Sequence, residues 1–387
     1  MKSESISEFI ESRIDAGDFP SAVYLVAEKG EIVFEDALGL AVVEPEKIEA
    51  RLDTIYDLAS LTKPLVTGLL CAQLIEAGEI RLDDRIAKYF GEFDTDDKRE
   101  ITIENLLTHT SGLEPWLPFY VAFDEDFNPD YTAERQLAIM AGRKLANPLQ
   151  TKVVYSDLNF ILLGLLIEKL NDPNFLIRLN TVTRREISGP LGLEKTFFGP
   201  HHSYLPEIAG SEKGNEHEKK TCLEMGYDIE LPFYPHTPFR SDQIWGEVHD
   251  GNCYFMNGVS GHAGLFSTAR ETFLIARQFL AAQTRLLKPE TCALFRTNFT
   301  PDLNEARSLG FQLAATPDST ASKALSPDSF GHLGFTGTSL WIEPETERIF
   351  VLLTNRTHAR ALPFVNINAV RRRFHELAQE ALNRARR

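Results

Sequence analysis

The sequence predicts an α+β fold (α/β in looser usage), in which one antiparallel β-sheet is flanked by an N-terminal and a C-terminal helix and carries an inserted, mostly helical region. Apolar, strand-like runs lie near both ends of the chain and are scarce between them. Helical apolar spacing precedes the first of these runs and follows the last. Because 43% of the 387 residues are hydrophobic, we expect one large globular unit or two closely joined domains.

The N-terminal part predicts a helix followed by a β-hairpin. Apolar residues from Ile6 to Ile14 recur at helical spacing. The runs SAVYLVAEKG and EIVFEDALG follow, and they are joined at Lys29-Gly30, which suits a tight turn. These two runs form the first strands of the predicted sheet.

The middle of the chain, from about 83 to 320, predicts helices and long loops, with the clearest helical spacing at 160–170 and 271–283. We therefore expect a sheet subdomain built from 1–82 and 321–387, with 83–320 inserted as a mostly helical subdomain. Together they would form one catalytic unit, with its site between the two parts.

The C-terminal part returns to strands. The run SLWIEPETERIFVLLTNR predicts a hairpin with its turn near Pro344 to Thr346. The arginine-rich segment from Arg371 to Arg387 has the pattern of an amphipathic helix, and its arginines are interpreted as a solvated face.

Composition excludes several classes of partner. Forty Lys and Arg against 56 Asp and Glu leave a net charge of −16, which repels nucleic acid and anionic membranes. No run approaches the roughly 18 apolar residues of a membrane span, and the polar opening does not resemble a signal peptide. The chain is expected to be cytoplasmic, although a secreted protein whose signal peptide has been removed would give the same sequence. Its oligomeric state is left open.

The segment Ser60-Leu61-Thr62-Lys63 places a hydroxyl and an amine three positions apart. The apolar spacing predicts a helix from Ser60 to about Ala77, so both side chains share a face at a helix N-terminus. Unpaired N–H groups there favour a developing negative charge. Taken alone, Ser60 could equally be an ordinary helix cap.

Two further motifs follow in order. Tyr155-Ser156-Asp157 precedes a predicted helix, and His332-Leu333-Gly334 lies inside GHLGFTGTSLW. With LLTHTSGL at 106–113 and GVSGHAGLFSTA at 258–269, these motifs resemble the serine β-lactamases and penicillin-binding proteins. The resemblance is closest to the class C β-lactamase-like hydrolases, which include the esterases of that fold, and it covers residues 8 to 375.

The resemblance implies a role for each catalytic residue. Ser60 is the implied nucleophile, Lys63 and Tyr155 share the proton transfers, and the backbone N–H groups of Ser60 and Phe335 form the oxyanion hole. The residue types agree, since apolar neighbours would disfavour a charged Lys63 and nearby cations would lower the pKa of Tyr155. Either of the two residues could then be the acylation base.

The motifs depart from the family pattern at two points. Asp157 stands where the family usually has Asn, and it could pair with Lys63 and shift the base role to Tyr155. His332 stands where many members have Lys. Leu333 lacks the hydroxyl with which lactam- and peptide-processing members bind a substrate carboxylate. We therefore place Asp157, His332 and Gly334 in the substrate-binding part of the site.

Together, these residues predict a serine hydrolase that acts on small esters through an acyl-enzyme. One alternative is a β-lactamase or D-alanyl carboxypeptidase, with an amide as the small-molecule substrate. A second is an acylatable sensor or binding protein with little turnover. No nucleotide-binding glycine motif occurs, so no cofactor is expected.

No metal is expected either. The histidines do not match a ligand spacing, and His109 and His262 are interpreted as structural or supporting residues. Two long loops, 114–131 and 199–254, are predicted to shape a pocket or to pack over the core. The second loop carries the remaining histidines that we considered as metal ligands: His201, His202, His217, His236 and His249.

Overall fold

The computed structural model describes residues 1–122, 132–229 and 239–385. Its main element is a seven-stranded sheet in the order β3-β2-β1-β10-β9-β8-β7, in which all the pairings are antiparallel. The predicted antiparallel sheet is thus confirmed. The strands are β1 (Ser21–Glu28), β2 (Glu31–Val42), β3 (Ile48–Glu49), β4 (Tyr56–Asp57), β5 (Phe197–Phe198), β6 (Leu265–Ser267), β7 (Gln312–Leu313), β8 (Phe330–Leu333), β9 (Ser339–Glu343) and β10 (Arg348–Thr354).

The helices cover both faces of this sheet and fill the middle of the chain. They are α1 (Glu4–Asp15), α2 (Leu69–Ala77), α3 (Ile103–Leu107), α4 (Phe119–Ala122), α5 (Thr132–Gly142), α6 (Asp157–Asn171), α7 (Leu179–Thr183), α8 (Gly189–Leu191), α9 (Glu216–Glu224), α10 (Gly251–Phe255), α11 (Ala269–Ala276), α12 (Pro289–Cys292) and α13 (Asn368–Ala385). None of the described helices combines the length and the apolarity that a membrane crossing requires.

Alternate side chains of the central strands pack into two different cores. Tyr24 and Val26 of β1 pack with the terminal helices α1 and α13, whereas Val23 and Leu25 join the larger core shared with the helical region. Both faces of the strand are therefore buried, which explains its nearly continuous apolar sequence. The predicted flanking helices are confirmed.

The structure adds strands that the sequence did not predict. A small sheet in the order β4-β6-β5 joins distant segments through strands of two or three residues, which are too short for a periodic pattern. The edge strand β7 at 312–313 belongs to the large sheet, although it precedes the predicted boundary at 321. The division into two subdomains stays a prediction.

The helix predicted from Ser60 is not uniform. A 3-10 turn at Ala59–Leu61 leads into a π-helical turn at Lys63–Gly68 and only then into α2. Pro64 lies in this first part, where the missing N–H costs least. Local tightening and widening of this kind is frequent at functional sites.

Candidate active site

Ser60 follows a strained residue. Ala59 has φ +47°, a left-handed conformation that costs a non-glycine residue roughly 1–2 kcal/mol. The Asp57 carboxylate accepts the Ala59 N–H at 2.8 Å through one oxygen and the His249 N–H at 2.8 Å through the other. These bonds hold the turn that presents Ser60.

The loop after β8 fixes the same turn from the other side. Thr336 donates its hydroxyl to the Asp57 carbonyl at 2.8 Å, and Thr338 donates to the Leu58 carbonyl at 3.0 Å. A Cβ added at Gly334 would lie 1.9 Å from Thr338 Oγ1 and 2.6 Å from the Leu58 carbonyl. Glycine is required at 334 because the third motif approaches the turn that carries Ser60 so closely.

Lys63 lies beside Ser60 and is completely buried. Its Nζ donates to Ser60 Oγ at 3.0 Å and to the His262 carbonyl at 3.0 Å, and it forms an ion pair with Asp157 Oδ1 at 2.7 Å. Burial is the largest single influence on the pKa of Lys63 and lowers it, but the charges and hydrogen bonds of Asp157 and Tyr155 together outweigh burial and raise the pKa to about 12. Burial thus disfavours the charged lysine, as expected, but the predicted pairing with Asp157 is present and Lys63 keeps its charge.

Tyr155 completes the group. Its hydroxyl interacts with both Lys63 and Ser60. Burial raises its pKa, and this effect exceeds the opposing influence of the Lys63 charge, so the pKa lies above its ordinary value. The neighbouring Lys63 lowers this pKa as predicted, but the net shift is upward because burial is the larger influence.

His109 positions Tyr155 from both sides. Its carbonyl accepts the Val154 N–H at 2.9 Å, and its Nδ1 accepts the Ser156 N–H at 3.1 Å. The imidazole also packs on the phenol ring, with centroids 4.6 Å apart. His109 adopts φ +59°, so this turn is strained as well. The contacts agree with the predicted structural role.

His332 lies on β8 and faces Tyr155, with ring centroids 5.7 Å apart. Its Nδ1 donates to the Leu333 carbonyl at 2.9 Å, which leaves Nε2 unprotonated in the neutral ring. Burial and the charge of Lys63 hold its pKa well below the ordinary value. Within the described residues, Nε2 is buried and has no hydrogen-bond donor.

Phe335 is the predicted second oxyanion donor, and the packing of its aromatic ring fixes its position. The ring stacks on His249 with centroids 5.2 Å apart, contacts His217 at 4.9 Å, and lies 4.9 Å from the Arg356 guanidinium. Its N–H is bonded to no carbonyl or side chain in the part of the chain that the structure describes. It is thus available to a substrate oxygen.

A second carboxylate, that of Asp250, is linked to Lys63 through His262, whose carbonyl accepts from Lys63. Asp250 Oδ1 accepts a hydrogen bond from His262 Nε2 at 2.9 Å, and His262 Nδ1 contacts Ser260 Oγ at 2.8 Å. Ligand atoms of Asp157, Asp250 and His262 lie within 4.8 Å of one another, a spacing that a metal ion could use. Because the Lys63 ammonium already contacts Asp157, the donor set has a resident cation.

The histidines considered as metal ligands are dispersed. His249 pairs with Glu212 at 2.7 Å, and His217 packs on Phe335. His201 and His202 are exposed, and His236 lies outside the described residues.

These groups surround a cavity of about 840 Å³. Both predicted loops contribute to it within the described residues, through Trp116 of the first and Met225 of the second; parts of each loop, 123–131 and 230–238, lie outside the description. The charged and polar residues of its wall are Ser60, Asp157, His217, Glu218, Thr221, His249, Asp250, Arg307, Gln312, His332, Arg356, Asn366, Asn368 and Arg371.

The cavity contains cations that sequence reasoning missed. Arg371 of α13 is buried and donates to the Gly334 and Thr338 carbonyls at 2.9 Å each, while Arg356 donates to the Phe335 carbonyl at 2.7 Å. Neither arginine has a carboxylate partner among the described residues. Arg371 was missed because the arginines of this helix were all interpreted as a solvated face. Periodicity cannot distinguish one buried arginine within a run of arginines.

Known proteins resemble this chain over nearly its whole length. The sequence model of the Beta-lactamase family matches residues 6–371. A protein of Escherichia coli strain K12, provisionally named D-alanyl-D-alanine carboxypeptidase, is 28% identical over 373 residues, which cover 92% of this chain and 82% of that protein.

Solved structures give the same fold. EstCE1, a hydrolase with promiscuous acyltransferase activity, superposes with a TM-score of 0.69 at 20% identity, covering 98% of this chain and 97% of the other. A class C beta lactamase from Rhodobacter sphaeroides superposes with a TM-score of 0.69 at 18% identity, covering 98% and 99%. At these identities the likeness establishes the architecture.

Proposed function

Because this chain belongs to the Beta-lactamase family, a family of hydrolases, we propose that it is a serine hydrolase that forms an acyl-enzyme on Ser60 and acts on small carboxylic esters. The observation that carries the proposal is the contact of Lys63 Nζ with Ser60 Oγ at 3.0 Å, beside a tyrosine that interacts with both. A nucleophile, an amine and a phenol within hydrogen-bond reach are the groups that acyl transfer requires.

The first step is attack of Ser60 Oγ on the substrate carbonyl. Lys63 and Tyr155 act as one proton-transferring unit, because each interacts with the serine hydroxyl and with the other. Asp157 holds Lys63 protonated, so one proton must leave this unit before Ser60 can be activated. The same unit then returns a proton to the leaving alcohol.

The developing oxyanion would be bound by the N–H groups of Ser60 and Phe335. The threonine bonds to the Asp57 and Leu58 carbonyls fix these two segments relative to each other before substrate arrives. Such preorganised donors stabilise the tetrahedral intermediate at little reorganisation cost. Water then attacks the acyl-enzyme by the reverse sequence of proton transfers.

Leu333 supports esters as substrates, since its side chain offers no hydroxyl for a substrate carboxylate. A second candidate, a D-alanyl carboxypeptidase, is favoured by a different observation. Arg356 and Arg371 line the cavity without carboxylate partners among the described residues, and a substrate carboxylate would supply one. The Escherichia coli relative bears the name of this activity.

The test combines turnover with detection of the acyl-enzyme. Purified protein is incubated with p-nitrophenyl acetate, a chromogenic cephalosporin, a D-alanyl-D-alanine peptide and a fluorophosphonate, and the mass of the protein is recorded after each. We expect ester turnover and a fluorophosphonate adduct on Ser60, both absent from Ser60→Ala. Ser12→Ala, an exposed serine on α1, is the matched control.

The outcomes separate the candidates. Efficient peptide cleavage with an inert ester would support the carboxypeptidase, and a stable ester adduct without turnover would support a sensor. A folded Ser60→Ala protein that still cleaves the ester at the wild-type rate would overturn the proposal.

A further inference from the structure

Two carboxylates near Ser60 each have one oxygen, Oδ2, that forms no hydrogen bond or ion pair with a described residue. Asp157 contacts Lys63 through Oδ1, and Asp250 accepts the hydrogen bonds from His262 Nε2 and from the Cys253 N–H through its Oδ1. The side chains keep 16% and 22% exposure and line the same cavity. Each therefore offers Oδ2 as an acceptor to a bound molecule.

Both carboxylates already have partners at Oδ1. Lys63 is paired with Asp157, and His262 donates from Nε2 to Asp250 while its Nδ1 contacts Ser260 Oγ. Burial raises the pKa of Asp250, but the interaction with His262, the bond from the Cys253 N–H and the charge of Lys63 together outweigh burial and hold the pKa below its ordinary value. Asp250 is therefore an ionised acceptor, and its Oδ2 favours a hydrogen-bond donor that carries positive charge.

His332 provides an independent indication of what that ligand carries. It is 95% buried, it lines the cavity, and its unprotonated Nε2 lacks a donor among the described residues. A buried acceptor without a partner is destabilising, and a ligand N–H would relieve this. Two carboxylate oxygens and an imidazole nitrogen all require hydrogen-bond donors.

We propose that Asp157, Asp250 and His332 form a subsite for a free amino group on the acyl side of the substrate, so that the preferred substrates are esters or amides of amino acids with an unblocked α-amine. This rests on the proposed acyl transfer through Ser60. An ammonium group suits this subsite because it carries a positive charge and three N–H donors for the three acceptors.

The distances suit such a substrate. Asp157 is linked to Ser60 Oγ through a single atom, Lys63 Nζ, by contacts of 2.7 and 3.0 Å. An α-amine lies two bonds from the carbonyl carbon that Ser60 attacks, so it would reach the carboxylates while the carbonyl oxygen remains at the Phe335 N–H. An N-acylated amine loses its charge and two of its donors there.

The test compares alanine methyl ester with N-acetylalanine methyl ester, in both enantiomers, alongside p-nitrophenyl acetate. We expect kcat/KM for the free amine to exceed that for the acetylated ester by about tenfold or more in at least one enantiomer. Asp250→Asn should bring this ratio towards one, and Asp15→Asn, an exposed aspartate on α1, should preserve it. If Asp250→Asn does not fold, Asp157→Asn gives the same comparison.

Failure of this inference can be told apart from failure of the hydrolase assignment. Turnover of p-nitrophenyl acetate with a ratio of one or below in wild type overturns the amine subsite and leaves the hydrolase. A high ratio that survives both aspartate substitutions also overturns it. Absence of turnover with every ester overturns both.

Discussion

The ammonium nitrogen of Lys63 lies 2.7 Å from a carboxylate oxygen of Asp157, with the lysine side chain fully buried. An ion pair this close, out of water, keeps the lysine protonated well above the pH at which a free amine would lose its proton. The lysine that touches the candidate nucleophile is therefore charged in the resting protein.

Substituting Asp157→Asn should move the pH profile of ester hydrolysis. The raised pKa of Lys63, about 12, keeps its proton on at neutral pH, so activity should rise with pH in wild type. Removing the carboxylate lowers that pKa, and the rising limb of kcat/KM should shift to lower pH by about 1–3 units. Asp15→Asn is the control with the same change in charge. If the rising limb of kcat/KM lies at the same pH in Asp157→Asn and wild type, the pH dependence does not arise from the Lys63–Asp157 ion pair.

His109 offers a test of how Tyr155 is positioned. His109→Ala removes the acceptor of the Ser156 N–H and leaves a residue with φ +59°, and we expect kcat to fall by about 10²-fold with a smaller change in KM. Asn tolerates the left-handed conformation and retains an acceptor, so His109→Asn should recover part of the loss. Equal kcat in His109→Ala and wild type would contradict this role.

Gly334→Ala tests the close approach of the third motif to the nucleophile turn. The added methyl group would overlap Thr338 Oγ1, and we expect the free energy of unfolding to fall by about 1–3 kcal/mol along with ester hydrolysis. The control is Gly142→Ala on α5, where a Cβ meets nothing within 4 Å. Chemical denaturation gives the free energy of unfolding of each variant, and an ester assay gives its activity. A Gly334→Ala protein as stable and active as Gly142→Ala would refute the packing argument.

Arg356→Ala distinguishes the two candidate substrate classes. If a substrate carboxylate binds beside Phe335, losing the unpaired guanidinium should reduce kcat/KM for a D-alanyl-D-alanine peptide more than for p-nitrophenyl acetate, by about tenfold in the ratio. The ratio matters because Arg356 also bonds the Phe335 carbonyl and could affect every substrate. Equal losses would assign Arg356 to holding the loop alone.

Local patterns made part of this site predictable. Ser60 and Lys63 are one helical turn apart, so their contact follows from short-range geometry, and strand periodicity indicated both central hairpins. The motif containing Tyr155 was recognisable from its residue types and order. The pairing of Asp157 with Lys63 followed from the same motif.

The remainder depends on contacts that no local pattern encodes. Lys63 donates to the His262 carbonyl, and His262 bonds Asp250 in turn, although both residues are distant from Lys63 in sequence. Arg371 of the last helix bonds the Gly334 carbonyl. Apolar neighbours in sequence, taken alone, would predict a lowered Lys63 pKa, whereas Asp157 is distant in sequence but close in space and raises it. Ala59 gave no indication of its left-handed backbone.

The pairing of β1 with β10 has a consequence for how the protein is made. Residues 21–28 find their partner strand only at 348–354, and the turn at Gly334 that secures Ser60 is held by Arg371. A growing chain on the ribosome must therefore leave β1 paired on one side only until residues 348–354 have been synthesised. The surroundings of Ser60 are completed late, so the proposed hydrolytic capacity would arise only after Arg371 has been synthesised.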